Sequence, residues 1–435
     1  MVKPVNHHLK DTTVKVFKFG GASVKDADAV KNVASILKSY ANEPVLVVVS
    51  AMGKTTNALE QLAHAHYNND TESKQKLYKE VKRFHDEIIS ELLKDTKSYV
   101  YNDIENLFIE LECLIEAECE GSYDFNYDQI VSYGEIFSTR IVSNYLNESA
   151  IKNRWIDARN FISTNNTYRE GKVDWALTTN IIEKKLRPIV LKQLVVTQGF
   201  IGQTREHTTA TLGREGSDYS AAIFAYGLGA DSVTIWKDVA GVMNGDPKKF
   251  PSAIKLEELS YTHAIEMAYY GATVIHPKTI QPLQSKNIPL FVRSFLNPDA
   301  KGTVVSTYAV EQNIPTFISK TNQSLLSISS RDFSFIVEDN LSSIFNLFAE
   351  HNIKMNLMQN SAISFSVCVD SKGEELEKLK SDLSFNYNVK CNDDVELLTV
   401  MHYNDDALKI ALDNKSVLLE QRTRATVQLV LKTNV

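Results

Sequence analysis

The chain has 435 residues and a formal net charge of −7, with 43% hydrophobic and 23% charged residues. This length is typical of two or three folded domains, and the composition excludes a disordered or low-complexity protein. The negative charge and the absence of Lys- and Arg-rich runs disfavour general nucleic-acid binding.

The N-terminal segment lacks the apolar core of a signal peptide, and no stretch reaches the roughly 20 apolar residues that span a bilayer. We therefore expect a cytoplasmic protein. The four cysteines, Cys113, Cys119, Cys368 and Cys391, show no zinc-type spacing. For these we expect buried, reduced thiols.

Residues 14–306 alternate β-rich runs with helical patterns. The runs are VKVFKFG, PVLVVVS, RWIDA, QLVVTQG, DSVTIW, ATVIHP and PLFVRS. This alternation predicts the α/β class, with a mainly parallel central sheet sandwiched by helices. Ligands of such sheets bind beyond the carboxyl ends of the strands, so a site is expected in the loops there.

Apolar residues recur at helical spacing from Leu77 to Leu92 and from Ile104 to Ile115. These segments predict two amphipathic helices within a helical subdomain at about residues 59–120, either a plain structural bundle or a lid over a substrate. After about residue 306 the pattern changes to βαββα and then to a shorter βαββ. Two similar α+β units in tandem indicate a regulatory or assembly module.

A lysine and a glycine pair mark the end of the first strand. Gly20 and Gly21 lie between this strand and a helical segment, where backbone N–H groups can approach an anion. Lys18 is costly to bury without an anionic partner, which a phosphate would supply; the alternative is a structural ion pair with an acidic side chain. The GKTT sequence at Gly53 imitates a P-loop, but Val48 stands where a P-loop requires glycine, so we reject that motif.

Three further loops hold candidate site residues. Arg214 lies among glycines, and its planar fork suits a carboxylate or a phosphate; Ser217 and Asp218 follow, and either could simply cap the next helix. Turn formation alone would explain Asp246 in the loop after VTIW. Glu135 follows a glycine near a helix start, with surface exposure as the alternative.

Six motifs together resemble the aspartate kinases in their order and spacing: KFGGASV, VVSAMGKTTNAL, SYGE, TQGFIG, GREGSDYSA and GATVIHP. The resemblance covers nearly the whole chain and implies an amino acid kinase fold at residues 1–308. It also implies a regulatory region of two ferredoxin-like (βαββαβ) ACT-type domains at residues 309–435. The first, at about 323–392, would be inserted into the second, at 309–322 plus 393–435.

The resemblance also implies an activity: transfer of the γ-phosphoryl group of MgATP to the β-carboxylate of L-aspartate, which begins lysine, threonine and methionine synthesis. The length leads us to expect a monofunctional enzyme without a fused homoserine dehydrogenase. A homodimer through the ACT-type region is implied as well, with no nucleic-acid or membrane partner. Two alternatives stay open, namely a non-catalytic amino-acid sensor and a related kinase for another acidic amino acid.

The site residues follow from the matching motifs. Lys18, Gly20 and Gly21 would meet the transferred phosphoryl group, with Asp218 as a further catalytic residue. Glu135 would take the α-amino group of aspartate. The substrate-binding set would be Ser50, Thr56, Glu135, Phe200, Arg214 and Ser217, with Arg214 on the α-carboxylate. The nucleotide would meet Lys237, Asp238, Met243, Asp246, Lys248 and Thr273. Mg²⁺ would rest on ATP oxygens and water, without a dedicated protein site.

The chain departs from the family pattern at several of these positions. The commoner residue is glycine at Glu215, threonine at Lys237 and tyrosine at Met243. Lysine-inhibited members carry acidic residues where Asn356 and Ala362 stand here. An effector ammonium would lose a charge-assisted contact there, so lysine feedback is weakly indicated.

Overall fold

A computed structural model describes residues 13–93, 98–272, 275–310, 313–332, 334–371 and 373–433. The chain divides into two compact units. The N-terminal unit comprises Met1–Val242, Glu257–Ile265 and Ile275–Val310, and the C-terminal unit comprises Met243–Leu256, Glu266–Val274 and Glu311–Val435. Two segments before residue 308 therefore group with the C-terminal unit. The domain boundaries at 308/309 and within the ACT-type region stay a prediction.

Ten strands occur among the described residues of the N-terminal unit. They are β1 (Lys15–Phe19), β2 (Val45–Val49), β3 (Asn153–Trp155), β4 (Leu194–Gln198), β5 (Ile201–Gln203), β6 (Thr209–Thr211), β7 (Ser232–Lys237), β8 (Glu258–Ser260), β9 (Leu290–Ser294) and β10 (Thr303–Ser306). Strands β5 and β6 form a separate hairpin, and the others form one sheet in the order β3-β4-β2-β1-β7-β9-β10-β8. Every neighbouring pair in this sheet is parallel except β9 and β10.

The predicted parallel sheet is confirmed, because its central strands are apolar on both faces. All five residues of β2 and all five of β4 are buried. One predicted strand is wrong as far as the described residues go. The run ATVIHP forms no strand at Ala272, Ile275 or His276, and the His276 side chain instead accepts a hydrogen bond from the Lys278 N–H at the start of a helix.

The helices that begin in this unit are α1 (Ala27–Lys38), α2 (Thr55–Tyr67), α3 (Thr71–Leu92), α4 (Tyr99–Glu116), α5 (Tyr123–Val131), α6 (Tyr133–Glu148), α7 (Trp175–Ile181), α8 (Arg187–Val190), α9 (Gly216–Leu228), α10 (Tyr261–Tyr270) and α11 (Pro277–Ser285). Helices α3 and α4 confirm the predicted amphipathic pair. The Asp70 side chain caps α3 by accepting from the Ser73 N–H, and the buried stripe of α3 packs into the same core as Phe108 of α4.

The C-terminal unit contains β11 (Thr316–Ser330), α12 (Glu338–Glu350), β12 (Met355–Asn360), β13 (Ser364–Asp370), α13 (Gly373–Asn386), β14 (Tyr387–Met401), α14 (Asp405–Leu412), β15 (Lys415–Arg422) and β16 (Thr426–Thr433). Its antiparallel sheet has the order β12-β13-β11-β14-β16-β15. The long strands β11 and β14 pair from Thr316 and Met401 to Ser330 and Tyr387, which joins two β/α halves. This arrangement confirms the predicted element order and is consistent with ACT domains.

The four cysteines are free, but only Cys368 is buried. Cys113 is exposed, so the prediction of uniformly buried thiols is wrong. No helix within the described ranges is long and apolar enough to cross a membrane.

Candidate active site

Strand β1 carries Lys18 to the carboxyl edge of the sheet. Lys18 lies in register between Val48 of β2 and Ile235 of β7, and only 9% of it is exposed. The next residues turn sharply into a 3₁₀ segment. A Cβ on Gly21 would lie 2.8 Å from the carbonyl oxygen of Ala51, so a side chain does not fit there. A Cβ on Gly20 would lie 3.4 Å from the Lys18 Nζ, so the backbone of the glycine pair lies beside the lysine.

Lys18 forms an ion pair with Asp218 in the first turn of α9. The Lys18 Nζ lies 2.5 Å from Asp218 Oδ1, and the Lys237 Nζ lies 3.8 Å from Oδ2. Burial raises the pKa of Asp218, but Lys18 and then Lys237 outweigh burial, so this pKa lies below its usual value. The structural ion pair that the sequence left open is therefore present. Two ammonium groups share one carboxylate, which leaves the cluster with a net charge of about +1 for an anionic ligand.

These residues open onto a cavity of about 670 Å³ at the carboxyl ends of the strands. It brings together nine of the predicted site residues: Lys18, Ser50, Thr56, Glu135, Phe200, Arg214, Ser217, Asp218 and Lys237. The topology explains this convergence, because β1 lies between β2 and β7 and all three strands point the same way. The Gly199 N–H donates to the Val49 carbonyl, which brings the end of β4 to the same edge.

Glu135 lies in the first turn of α6 and is buried, so the surface alternative is wrong. Its Oε1 accepts a 3.4 Å hydrogen bond from the Ala51 N–H, and its buried Oε2 finds no donor among the described residues. Burial raises the pKa of Glu135 to about 8, against the opposing effects of backbone N–H groups and of Lys18. A buried carboxyl with an unpartnered oxygen, on a cavity wall, is suited to an ammonium group.

The Arg214 loop is held by close backbone packing. A Cβ on Gly199 would lie 2.5 Å from the Ser217 Cβ, and a Cβ on Gly216 would lie 2.5 Å from the Phe200 ring. Helix α9 begins at Gly216 without a side-chain cap, so neither Ser217 nor Asp218 is the capping residue. Arg214 itself is exposed and lines the cavity, where its guanidinium can meet a carboxylate.

Four predicted nucleotide residues, Asp238, Met243, Asp246 and Lys248, are not among the described lining residues of this cavity. Asp238 is exposed and follows Lys237 directly. Met243, Asp246 and Lys248 belong to the C-terminal unit, where the Asp246 side chain accepts a 3.0 Å hydrogen bond from the Lys248 N–H in a turn. Thr273 lies outside the described residues. The nucleotide roles of these five residues stay a prediction.

The cavity also contains residues that the sequence did not point to: Glu60, Tyr127, Arg169, Glu170, Thr211 and Glu215. Glu60 follows Thr56 by four positions on α2 and therefore shares its helix face, a signal that could have been used. Arg169 has no such signal, because its place depends on contacts with α5. No group of three or more His, Cys, Asp or Glu side chains that could hold a metal ion occurs in the described part of the chain.

Comparison with known proteins defines the class. Residues 13–294 match the model of the amino acid kinase family, and the chain belongs to this family. It is 34% identical over 367 residues to lysine-sensitive aspartokinase 3 of Escherichia coli, covering 83% of this chain and 79% of that protein. It is 31% identical to the chloroplastic aspartokinase 1 of Arabidopsis thaliana, over 82% of this chain and 63% of that protein. Within the family, the chain therefore falls among the aspartokinases.

The fold agrees with this grouping. Escherichia coli aspartokinase III in complex with lysine and aspartate (T-state) superposes with a TM-score of 0.81 at 29% identity, covering 96% of this chain and 95% of that one. The same enzyme in complex with aspartate and ADP (R-state) gives a TM-score of 0.78, again at 29% identity, with 96% of each chain covered.

Proposed function

We propose that this chain is an aspartate kinase that transfers the γ-phosphoryl group of ATP to the β-carboxylate of L-aspartate, giving 4-phospho-L-aspartate and ADP. One observation carries the proposal: Lys18, Glu135 and Arg214 line a single cavity at the carboxyl edge of the parallel sheet. These side chains match the three charged groups that the reaction must hold, namely phosphoryl, ammonium and carboxylate. The complexes of the Escherichia coli enzyme with aspartate and ADP support both ligands.

The nucleophile needs no general base. The β-carboxylate has a reference pKa of about 4 and is ionised at neutral pH. One of its oxygens attacks the γ-phosphorus, and the bond from this phosphorus to the bridging oxygen breaks, leaving the electron pair on ADP. The barrier is therefore largely electrostatic, because an anion approaches a polyphosphate. The Lys18 ammonium and the N–H groups of Gly20 and Gly21 would stabilise the charge on the transferred group, while Asp218 orients Lys18.

The amino-acid substrate would be oriented by its two other charged groups. Its ammonium would donate to Glu135 Oε2, which has no donor among the described residues, and its α-carboxylate would meet the Arg214 guanidinium. Ser50 and Thr56 would supply hydroxyl groups near the substrate, and the backbone of Phe200 would border the same pocket, as would Ser217.

Lys237 would bind the nucleotide phosphates, with Asp238, Met243, Asp246, Lys248 and Thr273 as the remaining nucleotide residues. Mg²⁺ fits this arrangement as an ion that binds together with ATP rather than at a dedicated protein site. Asp218, which lies among the phosphoryl-binding groups, already meets two ammonium groups. Mg²⁺ keeps several waters and often needs only one or two carboxylates besides phosphate oxygens. When bound, it would neutralise nucleotide charge.

The assembly proposed is a cytoplasmic homodimer through the C-terminal unit. Phe335 is 70% exposed and Ile363 is 43% exposed, and the hydrogen bond from the Ile336 N–H to the Ala362 carbonyl places them on neighbouring segments. Exposed apolar neighbours of this kind favour a protein interface. Light scattering should report a dimer for the wild type and a monomer for Phe335→Asp. A monomeric wild type would contradict the dimer.

ADP release with L-aspartate, with L-glutamate and without amino acid tests the function. Turnover that depends on aspartate is expected, and Arg214→Ala should raise the KM for aspartate about 10- to 100-fold, the value of a charged hydrogen bond. Faster turnover of glutamate would favour the related kinase. Binding of aspartate without ADP release from any amino acid would favour the sensor.

A further inference from the structure

Arg169 lines the cavity beside the predicted substrate residues, although none of the six motifs quoted above contains it. We propose that Arg169 is a second substrate-binding arginine, which contacts a carboxylate of the acidic amino acid on the side of the cavity formed by α2 and α5. This inference rests on the proposed function and extends it by naming a residue that sets substrate affinity.

The backbone of Arg169 is held in a conformation that arginine disfavours. Its φ is +65°, in the left-handed region where glycine has no steric penalty. The Arg169 N–H donates a 2.9 Å hydrogen bond to Asp128 Oδ2, and the buried Asp128 also accepts from the Thr211 N–H at 2.8 Å and the Thr211 hydroxyl at 2.7 Å. Asp128 thus fixes two stretches of the cavity wall to α5. Strain retained in this way is typical of functional sites.

The Arg169 side chain is positioned without being fully paired. Its guanidinium lies over the Tyr127 ring, 4.3 Å from the ring centroid. Among the described residues, the nearest carboxylate oxygens are 3.4 Å away on Glu60, in a long hydrogen bond, and 3.7 Å away on Asp124. Both distances exceed the 2.7–2.9 Å typical of charge-assisted hydrogen bonds. The side chain is 41% exposed. A ligand carboxylate can therefore approach this guanidinium more closely than either protein carboxylate does.

The surroundings of Arg169 assign it to the amino acid rather than to the nucleotide. Glu60 lies one turn beyond Thr56 on α2, and both line the cavity with Arg169. Lys18 and Lys237 are engaged with Asp218 instead, at the ends of β1 and β7. An acidic amino acid carries two carboxylates and one ammonium, so a second guanidinium complements its net negative charge.

Arg169→Gly gives a sharp test, because the φ of +65° favours glycine. If Arg169 were merely structural, this change would leave kinetics unaltered or improve stability. We expect unfolding by urea to show stability equal to or above that of the wild type, while the KM for aspartate rises about tenfold or more and the KM for ATP changes less than about twofold. Arg169→Lys keeps the charge but not the fork and should recover part of the affinity.

Two variants in the exposed β5–β6 turn are matched controls. His207→Gly relieves another left-handed residue, with a φ of +63°, and Arg205→Ala removes another arginine. Neither should alter the KM for aspartate. An unchanged KM for aspartate in Arg169→Gly would overturn the inference, even if the wild type proves to be a fully active aspartate kinase. Calorimetric titration with L-aspartate separates the two proposals. If Arg169→Gly binds aspartate more weakly but the wild type shows no turnover, only the proposed function is contradicted. If Arg169→Gly binds aspartate as tightly as the wild type does, the role of Arg169 is contradicted.

Discussion

The Lys18 ammonium lies 2.5 Å from a carboxylate oxygen of Asp218, and both side chains are buried at the end of β1 where an anionic group would be bound. Lys237 approaches the other oxygen of the same carboxylate at 3.8 Å. Asp218 therefore orients the two ammonium groups without cancelling their combined charge. The same contact makes Lys18 important for stability as well as for phosphoryl transfer.

Lys18→Ala should abolish turnover and also destabilise the protein. Among the described residues, the substitution leaves Lys237 as the remaining ammonium partner of the buried Asp218. Removing one partner of a buried ion pair costs about 3 kcal/mol. Lys18→Met combined with Asp218→Asn removes both charges at similar volume, so the free energy of unfolding in urea should recover while activity does not. Stability that stays low in the double variant would contradict the assignment of the loss to an unpaired charge.

Glu135 should make both stability and aspartate binding depend on pH. Its pKa of about 8 in the folded protein lies above the value of about 4.5 for a free side chain, so between these values the folded state holds a proton that the unfolded state has lost. The contribution of Glu135 to the free energy of unfolding should therefore fall as pH rises through this window, opposite in sign to the contribution of a buried neutral histidine. Relative to the wild type, Glu135→Gln should gain free energy of unfolding as pH rises through this window, whereas the difference between Glu206→Gln, at an exposed position, and the wild type should not change with pH.

Aspartate binding should lower the pKa of Glu135, which burial raises, because the substrate ammonium stabilises the ionised carboxylate. Proton release on binding at neutral pH should appear in calorimetry as a heat that depends on the buffer. The KM for aspartate should fall as pH approaches about 8. Glu135→Gln should bind aspartate weakly and release no proton. Proton release equal to that of the wild type would disprove the contact between Glu135 and the ammonium.

The two glycines after β1 should respond differently to alanine. A Cβ on Gly21 would lie 2.8 Å from the Ala51 carbonyl oxygen and 3.0 Å from that of Gly53, so Gly21→Ala must displace backbone and lower stability. A Cβ on Gly20 would lie 3.4 Å from the Lys18 Nζ, and the φ of −77° at Gly20 suits any residue. Gly20→Ala should therefore fold like the wild type and lose turnover. Equal melting temperatures for the two variants would contradict this geometry.

The sequence predicted those parts of the site that depend on local pattern. The apolar run of β1 predicted a strand, and the glycine pair that follows located Lys18 at its carboxyl end. The parallel order of the sheet then brought Ser50 and Lys237 to the same edge. The alternation of β and α patterns predicted a shared carboxyl edge, because parallel strands end at the same side of the sheet, whereas the role of Lys237 came from the resemblance to the aspartate kinases.

The rest depended on tertiary contacts that no local pattern encodes. Asp128 and Arg169 are 41 positions apart, and their hydrogen bond forms only when α5 packs beside the loop after β3. The sequence around Glu135 is compatible with an exposed helix start, whereas in the structure α6 is buried on most of its sides. The run ATVIHP has the composition of a strand, yet the proline at its end starts α11.

His85 should make the N-terminal unit sensitive to acid. The imidazole is fully buried among aromatic rings, with centroids 5.2 Å from Phe84 and Phe137. Its Nδ1 lies 2.7 Å from the Val81 carbonyl oxygen and therefore carries the proton, whereas Nε2 has no partner among the described residues. Burial lowers the pKa of His85 to about 4. The ring is thus neutral in the folded protein throughout the neutral range.

In the unfolded chain His85 is protonated below about pH 6.5, whereas in the folded protein it is protonated only below about pH 4. The contribution of His85 to the free energy of unfolding is fully present above the unfolded pKa of about 6.5 and is lost as pH falls toward about 4. Relative to the wild type, His85→Leu should therefore gain free energy of unfolding in urea as pH falls from about 7 to about 5. Part of the histidine contribution should remain in this variant, because burial also lowers the pKa of His66. His64→Leu, at an exposed position, should leave the dependence of the unfolding free energy on pH unchanged. If His85→Leu also left this dependence unchanged, the buried imidazole would not control stability in acid.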